Sequence, residues 1–158
     1  MSDQAKKRIA IIAGHGTLDE AYAPLILSTA AAAMDMEAAI FFTFYGLQIL
    51  KKGYADNLKV APIANPAMPV PIPNIVGMLP GMTAMATMMM NNWMKKANVA
   101  KVSELLGVAQ ESGVRLIACQ MTMDVMGIKR EDLIDGVEIG GAATFLAFAS
   151  ENAITLSF

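Results

Sequence analysis

Lys7-Arg8-Ile9-Ala10-Ile11-Ile12-Ala13-Gly14-His15-Gly16-Thr17-Leu18-Asp19-Glu20 reads as a strand, a glycine turn and a helix start. The run Ile9 to Ala13 is short and continuously apolar, the pattern of a strand covered on both faces. Gly14-His15-Gly16 breaks it. Thr17 followed by Glu20 fits a capping box, and the Ala- and Leu-rich stretch that follows predicts a helix from about Leu18 to Met34, despite Pro24 in its early turns. Glu37 to Thr43, with Ile40, Phe41 and Phe42, predicts a second buried strand, and Gly46 to Lys52 a short helix ending at Gly53. Strand, helix, strand in this order requires a parallel sheet with crossover connections, so the fold class is α/β.

The same alternation resumes later in the chain. Ser103 to Ser112 predicts an amphipathic helix, and Val114 to Ala118 a buried strand with Cys119 at its carboxyl end. Lys129 to Asp132 suggests a short solvent-facing helix and Gly136 to Ile139 a brief extended segment. Gly140-Gly141 opens a helix from Ala142 to Ser150, and Ala153 to Phe158 a last strand. About five strands with helices between them make one three-layer α/β/α sandwich with a mostly parallel sheet. With 158 residues, 55% of them hydrophobic, the whole of 1–158 forms one domain.

The middle departs from this rhythm. Val60 to Met94 contains no charged residue and holds six of the seven prolines, so 60–94 is read as a Pro/Met-rich insertion. Pro69, Pro71 and Pro73 force an extended chain, because each ring fixes its own φ and disfavours helix in the residue before it. Met78, Met82, Met85 and Met89 then share one helix face, expected to pack into the core or a subunit interface, with an adaptable docking surface as its functional alternative. Asn74, Gly77, Pro80, Gly81, Asn91 and Asn92 interrupt this stretch, so insertion into a membrane is not expected.

Net charge is −2, and no basic stripe marks a nucleic-acid partner. A lone cysteine forms no intrachain disulfide, and Met1 to Arg8 is too polar to open a secretory signal, so the expected compartment is the cytoplasm. Only 16% of residues are charged and the mean hydropathy is +0.46, which predicts a homo-oligomer that hides apolar surface.

Cys119 is the first candidate for chemistry. In open α/β sheets ligands gather outside the carboxyl ends of strands, where free N–H groups and helix dipoles favour a thiolate. The alternative is a packed cysteine acting as a small hydrophobe. Arg115 lies an even number of residues earlier and so on the same face of the strand. Asp124, five residues after Cys119, is expected to cap the next helix, and a carboxylate so close opposes ionisation. His15, on the same edge of the sheet, is a possible accessory group that accepts a proton or holds an anion; its alternative is a turn residue.

Several site classes find no support. Gly14-His15-Gly16 lacks the third glycine of a dinucleotide fingerprint, with Asp19 in its place, and no Walker lysine follows. One Cys and one His give no metal-ligand spacing, and no Gly-x-Ser-x-Gly elbow occurs. Neither a cofactor nor a metal is expected. Glu131, Asp132, Asp135 and Glu138 read as a solvated patch.

Ala13-Gly14-His15-Gly16-Thr17-Leu18-Asp19, Phe41-Phe42-Thr43-Phe44, Gly81-Met82 through Met88-Met89-Met90, Ala118-Cys119-Gln120-Met121-Thr122-Met123-Asp124 and Gly140-Gly141-Ala142 together resemble the DsrE/DsrF/DsrH-like family, in its DsrE-type, peroxiredoxin-like subgroup. The resemblance spans nearly the whole chain and is most specific at the cysteine segment. It implies a compact α/β domain that oligomerises and carries sulfane sulfur as a persulfide on Cys119. It also implies exchange with TusA-like sulfur carriers and rhodaneses in cytoplasmic sulfur trafficking. Some relatives hold a further cysteine that is absent here, so the implied role is a persulfide carrier rather than an enzyme needing an internal resolving thiol. Sulfurtransferase activity, a non-catalytic oligomeric scaffold with a packed cysteine and a thiol peroxidase remain as alternatives. The last lacks support in the residues, because Leu116 stands where the Thr of a Thr-x-x-Cys segment is needed.

Overall fold

The computed structural model describes residues 6–61, 75 and 78–158. Five strands form one sheet in the order β4-β3-β2-β1-β5, and every neighbouring pair is parallel. They are β1 (Arg8–Ala13), β2 (Glu37–Phe42), β3 (Arg115–Cys119), β4 (Glu138–Gly140) and β5 (Ala153–Ser157). The helices are α1 (Leu18–Ala33), α2 (Met82–Lys96), α3 (Val102–Glu111), α4 (Gln120–Met126) and α5 (Ala142–Ala149), with a 3₁₀ helix at Phe44–Leu50. The three-layer α/β/α sandwich expected from the sequence is the fold.

Side-chain alternation along the strands builds two cores of unequal size. Ile9 and Ile11 of β1, Ile40 and Phe42 of β2, and Leu116 and Ala118 of β3 face the larger one, which α1 and α3 close with Leu18, Leu25, Val102 and Leu106. Ala10, Ala39, Phe41, Ile117 and Cys119 face the other side, where α5 covers them with Phe145 and Phe148. Phe145 stacks on Phe41 with ring centroids 5.3 Å apart. The cysteine therefore belongs to the face that a single two-turn helix covers.

The fold departs locally from expectation at two points. Thr17 does cap α1 by its backbone, but its side chain makes no capping bond. Glu20, the other half of the expected box, turns to His15 instead. The segment after β2 folds earlier than its glycine suggests, as a 3₁₀ helix beginning at Phe44, whose φ is +45°. That left-handed conformation is unusual for an aromatic residue.

Helix α2 has no buried residue. Met90 and Met94 rest half-buried on the larger core, while Met78 and Met85 point to solvent. Spacing showed which methionines share a face but not which face docks. Thr87 fixes the helix to the preceding chain, its Oγ accepting the Val60 N–H at 3.2 Å. The extended chain expected at Pro69, Pro71 and Pro73 lies outside the described residues. Among the described residues no helix is long and apolar enough to cross a membrane.

Candidate functional site at the carboxyl end of β3

Cys119 is the last residue of β3 and the residue from which α4 springs. Its neighbours follow from register. Phe42 of β2 sits opposite Ala118, so the next residue along, Thr43, comes alongside Cys119 on the same face. On the other side Cys119 pairs with Gly140, which leaves that flank without a side chain. Thr122, one turn into α4, folds back toward β2 and is 1% exposed.

The two threonine hydroxyls meet. Thr43 Oγ1 and Thr122 Oγ1 lie 3.1 Å apart, and the Phe44 N–H donates to Thr122 Oγ1, also at 3.1 Å. Cys119 is 5% exposed, and its neutral thiol makes no capping hydrogen bond to the first turn of α4. Burial pushes the thiol pKa up, but the net shift is downward. The hydroxyl and N–H of Thr122, the hydroxyl of Thr43 and the N–H of Met121 all favour the anion and together outweigh the burial.

Among the described residues no formal positive charge assists. Arg115 shares the face of Cys119, as alternation requires, but stands at the opposite end of β3, roughly 13 Å away at the rise of a strand. There it grips Glu138 through both carboxylate oxygens, at 2.9 and 2.8 Å from one guanidinium nitrogen. Asp124 does not cap α4. It occupies the middle of that helix, exposed, where Oδ1 accepts from Gln120 Nε2 at 2.9 Å. The acidic patch is exposed and partly tied down, Asp132 accepting the Lys129 N–H at 2.8 Å.

His15 stands on the expected edge of the sheet, but β2 lies between its strand and β3. Two strand spacings put the two loops roughly 10 Å apart. Its Nδ1 is 3.4 Å from Glu20 Oε2, and its side chain is largely exposed. The structure thus joins Cys119 to Thr43 and Thr122 and leaves His15 with Glu20. Among the described residues no group of three or more Cys, His, Asp or Glu side chains is close enough to hold a metal ion.

The profile of the DsrE/DsrF/DrsH-like family matches residues 5–157. The chain belongs to that family. Over 157 residues it is 48% identical to the sulfur carrier protein DsrE2 of Allochromatium vinosum, a match covering 96% of this chain and 98% of that protein. It is 37% identical to the uncharacterized protein YrkE of Bacillus subtilis, over 99% of both chains. Among solved structures, the ychN protein from E. coli superposes with a TM-score of 0.59 at 16% identity, covering 97% of this chain and 99% of that one, a likeness of fold.

Reading the sequence alone missed the hydroxyl pair. Thr43 and Thr122 are 79 residues apart, and neither belongs to a motif with its own chemistry. Both lie in segments that carry the family resemblance, and by position Thr43 directly follows β2 while Thr122 falls one turn past the end of β3.

Proposed function

We propose that this protein carries sulfane sulfur as a persulfide on Cys119 and exchanges it with small TusA-like carriers or rhodaneses in the cytoplasm, working as a homo-oligomer. The observation that carries this reading is a lone thiol whose ionisation is favoured by four neutral donors at the edge of the sheet. The 48% identical relative is itself named a sulfur carrier.

In the loading step the Cys119 thiolate attacks the outer sulfur of a donor persulfide, R–S–SH. A new S–S bond forms at Sγ, the donor's S–S bond breaks, and R–S⁻ leaves with the bonding pair. Cys119–S–SH results with no net oxidation. Passing the sulfur on reverses these roles, with an acceptor thiolate as nucleophile and Cys119 as leaving group. A lowered thiol pKa speeds that departure. A single cysteine suffices for both steps, so carriage rather than internal turnover is the role.

A buried sulfur reacts during local opening. The element beside it suits this, since α4 has seven residues and exposes Gln120, Met121, Asp124 and Val125. The 5% exposure of Cys119 favours a second reading, a scaffold in which the cysteine is only packed. Intact mass after incubation with polysulfide separates the two. The native chain is expected to gain sulfur and Cys119→Ser none. A native chain that gains none from polysulfide, thiosulfate or a charged partner protein would leave the scaffold.

A further inference from the structure

We propose that Thr122 and Thr43 are positioning residues for the sulfur atom, a pair of hydroxyls that bond each other beside the neutral thiol and rotate onto Sγ when it ionises. This rests on the carrier reading for its purpose, but its geometry stands without it.

Thr122 Oγ1 already accepts the Phe44 N–H at 3.1 Å. One lone pair is thereby occupied, and the hydroxyl's own proton is left to be given away. Within reach lie Thr43 Oγ1, 3.1 Å distant, and the sulfur. A neutral thiol is a poor acceptor, so one hydroxyl donates to the other. A thiolate is a charged acceptor and draws stronger hydrogen bonds. Both protons then swing to it while the oxygens stay in place, and the Phe44 N–H keeps its hold on Thr122. Donors fixed before the charge develops cost little reorganisation when it does.

The backbone bears the expense of this arrangement. Phe44 is the one aromatic residue with positive φ among the described residues, at +45°, and it directly follows Thr43. Its N–H donates to Thr122 as the chain turns from β2 into the 3₁₀ helix. Strained backbone conformations gather at functional sites when surrounding contacts hold them. Here the hold is close: the Gly46 N–H donates to both Thr43 O and Gly14 O, at 3.0 and 3.2 Å.

Ionisable groups on the surrounding elements are otherwise engaged or distant. Asp124 on α4 is bound by Gln120, His15 in the β1 loop is beside Glu20, and Arg115 at the far end of β3 is paired with Glu138, which comes from β4. Tyr45 on the 3₁₀ helix is exposed, and α5 contributes only the phenyl rings of Phe145 and Phe148 as buried side chains to the smaller core that holds Cys119.

The test is direct titration, because the chain has one thiol. Thiolates absorb ultraviolet light that thiols do not, and subtracting Cys119→Ser isolates the signal of one sulfur. Thr122→Val should raise the midpoint by about one pH unit, a tenfold loss of thiolate below it, while Thr122→Ser keeps it within a few tenths. Thr43→Val should raise it by a smaller step. A folded Thr122→Val with an unmoved midpoint would overturn the proposal, as would a Thr122→Ser that shifts as far as the valine. If Thr122→Val does not fold, Thr43→Val decides: a raised midpoint supports the pair and an unmoved one refutes it. Polysulfide loading of the native chain is read separately by mass. Failure to load removes the carrier reading but leaves the hydroxyl effect visible in the titration.

Discussion

The two ends of β3 carry groups of opposite demand, and the fold meets them by opposite means. At the amino end Arg115 is matched by full charge: Glu138 takes it in a fork, and its guanidinium lies 5.5 Å from the centre of the Phe148 ring. Arg8 of β1 approaches the same ring at 5.1 Å and binds Glu37 and Glu151. The Arg8 guanidinium is held above its usual pKa first by its bond to Glu37 and then by that to Glu151. At the carboxyl end Cys119 is met by hydroxyls and peptide N–H groups alone. A permanent ion pair suits a charge that never changes. Neutral, rotatable donors suit a sulfur whose charge changes, as the persulfide carriage proposed above requires, since they add no formal charge of their own.

The sharpest way to break the carboxyl end is at Gly46. A Cβ built there would lie 2.0 Å from the carbonyl oxygen of Ala13, a backbone atom that also accepts the Thr43 N–H at 3.0 Å. The chain must move, and the residue it moves is Thr43. Gly46→Ala is expected to cost about 4 kcal/mol, at the upper end of single substitutions, and to raise the thiol midpoint in whatever fraction folds. Denaturant melts with thiolate titration check both. A neutral substitution would mean that β1 and the 3₁₀ helix do not approach so closely.

The amino end breaks next most easily at Phe148. Its ring is 7% exposed, closes the smaller core and sits against both arginines. Phe148→Ala is expected to cost about 3 kcal/mol in urea unfolding, mostly from the cavity. The Cys119 midpoint should change little, because the hydroxyl pair is held from β2 and α4 and not from α5. An equal disturbance of both ends would make the smaller core one mechanical unit and weaken the contrast.

How far the sequence disclosed all this depended on whether the deciding contact was local. The β1 run, its glycine turn and α1 were legible because apolar continuity and helix composition act within a few residues. Cys119 at a strand's end was legible for the same reason, and so was the common face of Arg115 and Cys119. The capping box at Thr17 failed because Glu20 had a competing partner in His15. Asp124 was misplaced by a helix that starts at once after Cys119, leaving no residues for a separate cap. The left-handed Phe44 had no residue-type signal, since glycine or asparagine announces that conformation and phenylalanine does not. The hydroxyl pair needed the register of β2 against β3, which only the folded sheet supplies.

The finest comparison of the two ends comes from Glu138→Gln. The substitution keeps the shape of the side chain and removes the charge that faces Arg115. Both side chains are about two-fifths exposed, at 42% and 41%, so water already screens the pair. The expected loss is below about 1 kcal/mol, and it should shrink further in high salt. The thiol midpoint should stay where it is, because the Glu138 carboxylate, two residues back along β4 from the partner of Cys119, is turned to Arg115 and screened by water. Urea melts at two salt concentrations and one thiolate titration measure both quantities. A midpoint that moved with Glu138 would mean that Cys119 responds to distant formal charge, and the neutral donors around it would lose their special standing.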